Sequence, residues 1–372
     1  MHEEKNKIAI ICILDNFCNR VRALEIKKFL NKENYRVKLI NSYYLNRLSH
    51  GVNGSKGLAS KMPSLSVPCL ISIALKKVNL ISRNYLKQYL LIYQMKLRAK
   101  TLEKIIKKEK FDAIICESAP DSYVLKKNLR CLKIFDCPTP WVDEFYYSGD
   151  LSDNAYRKLR RMELEIYKET EYLSFHWETY KKYVQKFVYN GKNMFTLNWG
   201  CHPKPKEKKA EFSCPPKIVF MGNLGGYWIN LPLLARLTKF YKNIDVYGAP
   251  APPKKYRLNY KGYAHPDVLS KYQFGLITIT KDRLRCWGFS AKHLEYLSYG
   301  LPVLVPDWRK DLYLLKGSIP YNEENFLEKI KQYDGKREWQ KLSDLAYKQS
   351  KRYSWDKVLK PLVKIINRHL RA

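Results

Sequence analysis

The stretch CWGFSAKHLEYLSYGLPVLVPDW, residues 286–308, holds the residues best suited to chemistry. Gly288 permits close backbone approach, and Ser290 can cap the helix that follows. The N–H groups at a helix start, with the helix dipole, form an anion site suited to a phosphate. Lys292 adds positive charge one turn in. Glu295, three residues on, shares its face. A carboxylate beside a phosphate site makes sense if it accepts hydrogen bonds from sugar hydroxyls, as an acidic residue does for ribose in dinucleotide folds. A surface Lys–Glu pair on an amphipathic helix is the other account. Arg283 and Arg285 precede this loop; guanidinium groups suit phosphate oxygens or a sugar carboxylate, or else are solvated loop charge.

The elements that must position these residues follow an α/β rhythm. IAIICIL (8–14), YRVKLIN (35–41), FDAIICES (111–118) and LKIFDC (132–137) are buried β-branched runs. They alternate with helical patterns at 20–35, 76–110 and 151–187. This is the pattern of a parallel sheet. Residues 201–216, CHPKPKEKKAEFSCPP, carry four prolines and four lysines and read as a connector. The rhythm then restarts: a strand at KIVFMG (217–222) ending in GNLGG, a helix at 231–241, and strands at 243–248, 271–280 and 301–306. A helix at 289–300 closes on Gly300, and an amphipathic helix covers roughly Ser354–Leu370. In open parallel sheets, ligands sit at the carboxyl ends of strands beside helix N-termini. The spacing therefore predicts an α/β fold of two Rossmann-like domains facing a cleft.

Composition narrows the partners. The 372 residues carry 69 Lys+Arg against 35 Asp+Glu, a net charge of +34, and are 45% apolar. That excludes a disordered chain and favours a polyanionic neighbour. The excess is shared by both halves. Nine scattered cysteines without CxxC or Cys/His metal spacing fit a reducing cytosol. The apolar run 8–14 is too short for a signal peptide, and no run reaches the roughly 20 residues that span a bilayer.

G-F-S-x-K-x-x-E-Y-x-x-x-G-x-P-V (288–303) resembles the donor-site signature of GT-B glycosyltransferases, broadly of the family 4 type. KIVFMGNL is similar to the strand and glycine loop that open the second domain of that family. YKGYAHPDVLSKY is similar to the segment near the nucleotide base, and YSWDKVLKPLVKII to the terminal helix that crosses back to the first domain. The resemblance covers about residues 217–370. It implies 1–200 as an acceptor-binding domain, 201–216 as linker, 217–352 as a nucleotide-sugar-binding domain, and 353–372 as a helix packing back on the first. It places Glu295 on the ribose, and Lys292 with the Phe289–Ala291 backbone on the diphosphate. Gly222, Asn223 and Gly225 would let the loop approach the donor, with Tyr263, Ala264 and His265 beside the base. Family 4 enzymes often carry a second Glu eight residues before the ribose one. Trp287 stands there instead, and in this the chain also resembles the xanthan-type glucuronosyltransferases.

The expected activity is transfer of a hexose or uronic acid from a nucleoside-diphosphate sugar to a saccharide or lipid-linked acceptor. No Asp-x-Asp motif occurs, so no metal or other cofactor is expected. An acceptor hydroxyl that loses its proton needs a carboxylate or His. Glu117 and Asp121, after strand FDAIIC, are the favoured candidates; Asp136, Asp143 and Glu144 follow the next strand. Asn16, Asn19 and Arg20 follow the first, where Arg20 or Arg22 could meet a phosphate. Residues 51–110 hold thirteen Lys/Arg and two acids among Leu, Ile and Tyr. They suggest attachment to an anionic membrane surface, with a cytoplasmic enzyme peripheral at its inner face. A solvated helix face is the alternative there. Two further readings stay open: a DNA-modifying glucosyltransferase, and a GT-B-like binding protein without catalysis.

Overall fold

The computed structural model describes residues 6–13, 17–41, 83–117, 119–137, 139–226 and 228–370. Asn16 and residues 51–82 of the basic region lie outside them. The chain forms two compact units. Unit 1 comprises Met1–Phe175, Gln185–Phe195 and Val363–Ala372; unit 2 comprises His176–Val184 and Thr196–Leu362.

Unit 1 is built on a six-stranded sheet of β1 (Lys7–Cys12), β2 (Arg36–Asn41), β3 (Ala113–Cys116), β4 (Leu132–Cys137), β5 (Tyr172–Phe175) and β6 (Met194–Thr196). The order is β2-β1-β3-β4-β5-β6, and β1 to β5 pair in parallel. AIIC of β3 and LKIFDC of β4 are buried at every residue. Both faces of such a strand are covered by helices, so its sequence is a continuous apolar run. Among the described residues, the helices Phe17–Lys32, Arg83–Glu109, Trp141–Tyr147 and Asp153–Glu169 belong to this unit. Ser152 caps the last by accepting from Ala155 N. The terminal segment is fixed to this unit, where Tyr35 Oη donates to Asn367 Oδ1 at 2.5 Å.

Unit 2 is built on β7 (Ile218–Asn223), β8 (Ile244–Ala249), β9 (Phe274–Leu276), β10 (Val303–Pro306) and β11 (Ser318–Tyr321). The all-parallel order is β11-β10-β9-β7-β8. Its core gathers Phe220, Leu234, Val246, Phe274, Leu304 and Trp339. In each sheet the strand order reverses beside the first strand, between β1 and β3 and between β7 and β9. That crevice, at the carboxyl ends, is where open α/β sheets bind ligands.

Three expected element bounds need correction. The helical stretch 151–187 is two helices, Asp153–Glu169 and Glu178–Phe187, separated by β5. The strand expected at 271–280 ends at Leu276. Beyond it the chain pairs antiparallel with the segment just before helix Leu231–Phe240, through the Ile229–Ile279 bridge and the bond from Thr280 N to Trp228 O. The terminal helix breaks into Trp355–Val358 and Lys360–Leu370, because Pro361 has no N–H to continue the ladder and fits a helix's first turn. Residues 201–216 run along unit 2, tied by Lys204 N to Ser298 O, Ala210 N to Tyr299 O and Glu211 N to Ser270 O.

Candidate functional site

The helix Ala291–Ser298 follows β9 and starts at the switch point of the second sheet. Tyr296 fixes it there. Its hydroxyl accepts from Met221 N of β7 at 2.8 Å, and its ring lies on Gly275 of β9 so closely that a Cβ there would sit 2.5 Å from it. Gly275 and Tyr296 thus lock the helix across two neighbouring strands.

That placement brings Lys292 onto Gly222 at the carboxyl end of β7. A Cβ on Gly222 would meet Lys292 Nζ at 2.6 Å, so the glycine leaves room for the ammonium group where it now lies. Lys292 Nζ also lies 4.4 Å from the Phe220 ring centre. Gly248 of β8 backs the same strand end, where any Cβ would collide with the Gly222 carbonyl. Asn223 Oδ1 accepts from Gly225 N at 2.8 Å, which closes the loop after β7. Sequence-predicted Gly222, Asn223, Gly225 and Lys292 therefore come together.

Glu295 lies one turn further along the helix and is half-buried. Among the described residues no hydrogen bond or ion pair engages its carboxylate. Burial raises its pKa above the ordinary glutamate value, while Lys204, Lys292 and His265 oppose the rise. A desolvated acceptor with cations nearby is suited to a neutral multi-donor ligand such as a diol. His265 is exposed, its Nδ1 accepting from Asp267 N at 3.3 Å, and Tyr263 is 80% exposed. Asp267 in turn accepts from Tyr299 Oη at 2.9 Å.

The loop before the helix is ordered by Asp282, whose Oδ1 accepts from Leu284 N and Arg285 N at 2.8 and 2.6 Å. Arg285 is buried, with its guanidinium 5.3 Å from the Trp228 ring. Arg283 is exposed. Gly288 faces the Tyr180 hydroxyl, which a Cβ would approach to 2.8 Å. Phe289 stacks on Trp177 at 4.1 Å and 19°. Trp287 packs its ring edge-on against Tyr183. One expectation fails: Ser290 occupies the cap position with extended backbone, but its side chain makes no cap bond. His293 N donates to Ser290 O at 3.0 Å, which leaves the N–H groups of Ala291 and Lys292 at the helix start outside the helix's own ladder.

Unit 1 carries the expected carboxylates in a buried polar cluster. Glu117, just past β3 at the switch point, is 2% exposed, and its Oε1 has no hydrogen-bond partner. Burial, then Asp136, push its pKa well up, against the pull of Arg22. Asp121 is fully buried in an ion pair with Arg98, Nη2 to Oδ1 at 2.5 Å. Arg22, expected as a phosphate contact, is instead buried and forked onto Asp136, at 2.5 and 3.1 Å. Ser174 Oγ adds a bond to Asp136. Asp143 pairs with Arg160, and Glu144 accepts from Thr139 Oγ1. Asn19 is partly buried and Arg20 exposed. Among the described residues no three His, Cys, Asp or Glu side chains converge as a metal's ligands. Sequence reasoning missed Arg98, paired with Asp121, and Arg309, whose carbonyl partners at 285 and 288 lie more than twenty residues back. Only the buried arginine in DWRK, straight after β10, marked the second.

No known family model and no curated protein matches the sequence. Among solved structures the chain is similar to sucrose-phosphate synthase from Thermosynechococcus elongatus, at TM-score 0.71 and 10% identity, over 99% of this chain and 100% of that one. It is similar to a glycosyltransferase from Rickettsia africae ESF-5, at TM-score 0.62 and 12% identity, over 99% of both chains. It is also similar to an α-glucosyltransferase in complex with UDP and a 13-mer DNA containing an HMU base, at TM-score 0.56 and 12% identity, over 98% of this chain and 100% of that one. These likenesses show the fold, two parallel-sheet α/β units of the GT-B kind.

Proposed function

We propose that the protein is a glycosyltransferase that binds a nucleoside-diphosphate sugar on unit 2 and passes the sugar to a saccharide or lipid-linked acceptor bound by unit 1. The observation that carries this is the helix start at the β7/β9 switch point, with Lys292 seated on Gly222 and Glu295 desolvated one turn on. Lys292, the first-turn N–H groups and Arg285 would hold the diphosphate. Glu295 would accept from the two ribose hydroxyls. Tyr263 and His265 would flank the base.

In the reaction, the bond from the anomeric carbon to the diphosphate oxygen breaks and a bond to the acceptor oxygen forms. The negative charge that grows on the diphosphate is met by the helix N-terminus, Lys292 and Arg285. The acceptor proton goes to a carboxylate, for which we assign Glu117. Burial raises its pKa above the ordinary glutamate value and so makes it the stronger base, whereas Asp121 is committed to Arg98. Metal independence follows from charge stabilisation by protein groups alone. The family 4 or xanthan-type character and the glucuronosyl or hexosyl class belong to this same proposal.

The expected result is that wild-type protein binds a nucleoside diphosphate by calorimetry, that Glu295→Ala abolishes this, and that transfer survives EDTA. Unchanged binding in Glu295→Ala would remove the site assignment. A second reading, sugar transfer to DNA, is supported by the +34 charge and by the DNA complex of one fold neighbour. Attachment to an anionic leaflet is supported by the face of helix Arg83–Glu109 that exposes Tyr93, Lys96, Leu97, Lys100, Lys104 and Lys107.

A further inference from the structure

The loop 285–290 has no regular secondary structure, yet three of its four carbonyls from 285 to 288 are held by side chains distant in sequence. Arg309, only 1% exposed, donates Nη1 to Arg285 O at 3.1 Å and Nη2 to Gly288 O. Thr179 Oγ1 donates to Trp287 O at 2.5 Å. Arg309 is itself set by Asp311, through Nε to Oδ1 at 3.0 Å and Nη2 to Oδ2 at 2.9 Å. Asp311 Oδ2 also accepts from Trp177 Nε1 at 3.2 Å, and Trp177 stacks on Phe289. Both ends of the brace thus grip the same loop.

A planar trans peptide points its C=O and its N–H in opposite directions. Holding the Trp287 and Gly288 carbonyls towards Thr179 and Arg309 therefore turns the N–H groups of Gly288 and Phe289 away from them. Among the described residues neither N–H donates to a protein acceptor. Two successive outward N–H groups beside a helix start make an anion-binding concavity. We infer that Arg309, Thr179, Asp311 and Trp177 are positioning residues that hold the Gly288 and Phe289 amides as a cradle for the donor diphosphate. This rests on the donor-site reading above. None of the four touches the donor; they act through the loop.

The test is binding of the tightest of UDP, GDP, CDP and ADP, and of its parent nucleoside, to variants of intact protein. Calorimetry would serve for the diphosphate and ligand-observed NMR for the nucleoside. Thr179→Val keeps the shape and removes the donor to Trp287 O. Arg309→Lys keeps the charge but cannot span two carbonyls. Groups that orient a metal's ligands typically contribute about ten- to a hundredfold, and residues that orient a binding amide are expected to act on the same scale. Each variant is expected to weaken the diphosphate by about tenfold or more and to leave the nucleoside within about twofold, with Thr179→Ser restoring affinity. If Arg309→Lys fails to fold, the Thr179 pair alone decides. Equal loss of nucleoside and diphosphate, no loss, or no rescue by Thr179→Ser would overturn the brace while leaving the donor site standing. A wild-type protein that binds no nucleotide would overturn both.

Discussion

At the residue scale, Glu117 and Asp121 lie four residues apart, and their surroundings give them different work. Glu117 is buried with one oxygen unpartnered and its pKa pushed up, so its charge is costly where it stands. Glu117→Gln removes that charge and should leave the melting temperature at pH 7.5 unchanged or higher, while transfer falls by about 10²- to 10⁴-fold. A melting temperature that drops sharply with activity retained would reverse the assignment. Asp121→Asn takes the carboxylate from buried Arg98 and should cost about 3–5 kcal/mol by denaturant unfolding. His293 makes the opposite kind of statement. It is fully buried on the site helix, its Nε2 2.8 Å from Ser318 Oγ. Burial, then Arg309, lower its pKa from 6.5 to about 3. The unfolded chain therefore binds the extra proton between those values. Stability from this group is complete above about pH 6.5 and is lost as pH falls towards 3. In His293→Leu that part of the acid slope should vanish from a melting-temperature profile; an unchanged slope would show that His293 is not its source.

At the element scale, the site is a helix locked onto two strands. Tyr296→Phe removes the buried hydroxyl that Met221 N donates to, and leaves that N–H unsatisfied. The cost should be about 1–3 kcal/mol, with nucleotide affinity falling as the helix start shifts; equal affinity would mean the lock is only structural. Elements of this kind are legible where one rule dominates. KIAIIC and AIIC read as strands because both faces are buried. YLSF of β5 did not, since it is four residues between two helical patterns and has Ser174 at its centre. The structure uses that hydroxyl to bond Asp136. The sequence placed Lys292 and Glu295 on one helix and Ser290 at its cap position, but not the missing side-chain cap bond. The Arg309–Asp311 pair is near in sequence, but its hold on the carbonyls of residues 285 and 288 was not readable, because backbone groups leave no mark in sequence.

At the scale of the whole molecule, the +34 charge bears on which of the proposed partners the protein meets. If the partner is an anionic leaflet, the protein should sediment with phosphatidylserine vesicles at 50 mM salt and release at about 300 mM, where the Debye length shortens. Lys96, Lys100 and Lys104 changed together to Gln should weaken this. If it is DNA, those changes matter less than a steep salt slope on duplex binding. Tight duplex binding without vesicle binding would favour the DNA reading.

The division of the chain has its own outcome for biosynthesis. Unit 1 is written in three separated stretches, the last following all of unit 2. On a ribosome, residues 6–175 emerge first but lack Asn367, the partner of Tyr35, until nearly 200 further residues have been made. Domains ordinarily fold in turn as they emerge. Here the first unit to appear is the last to be completed, and its exposed seam must wait for the second to be finished.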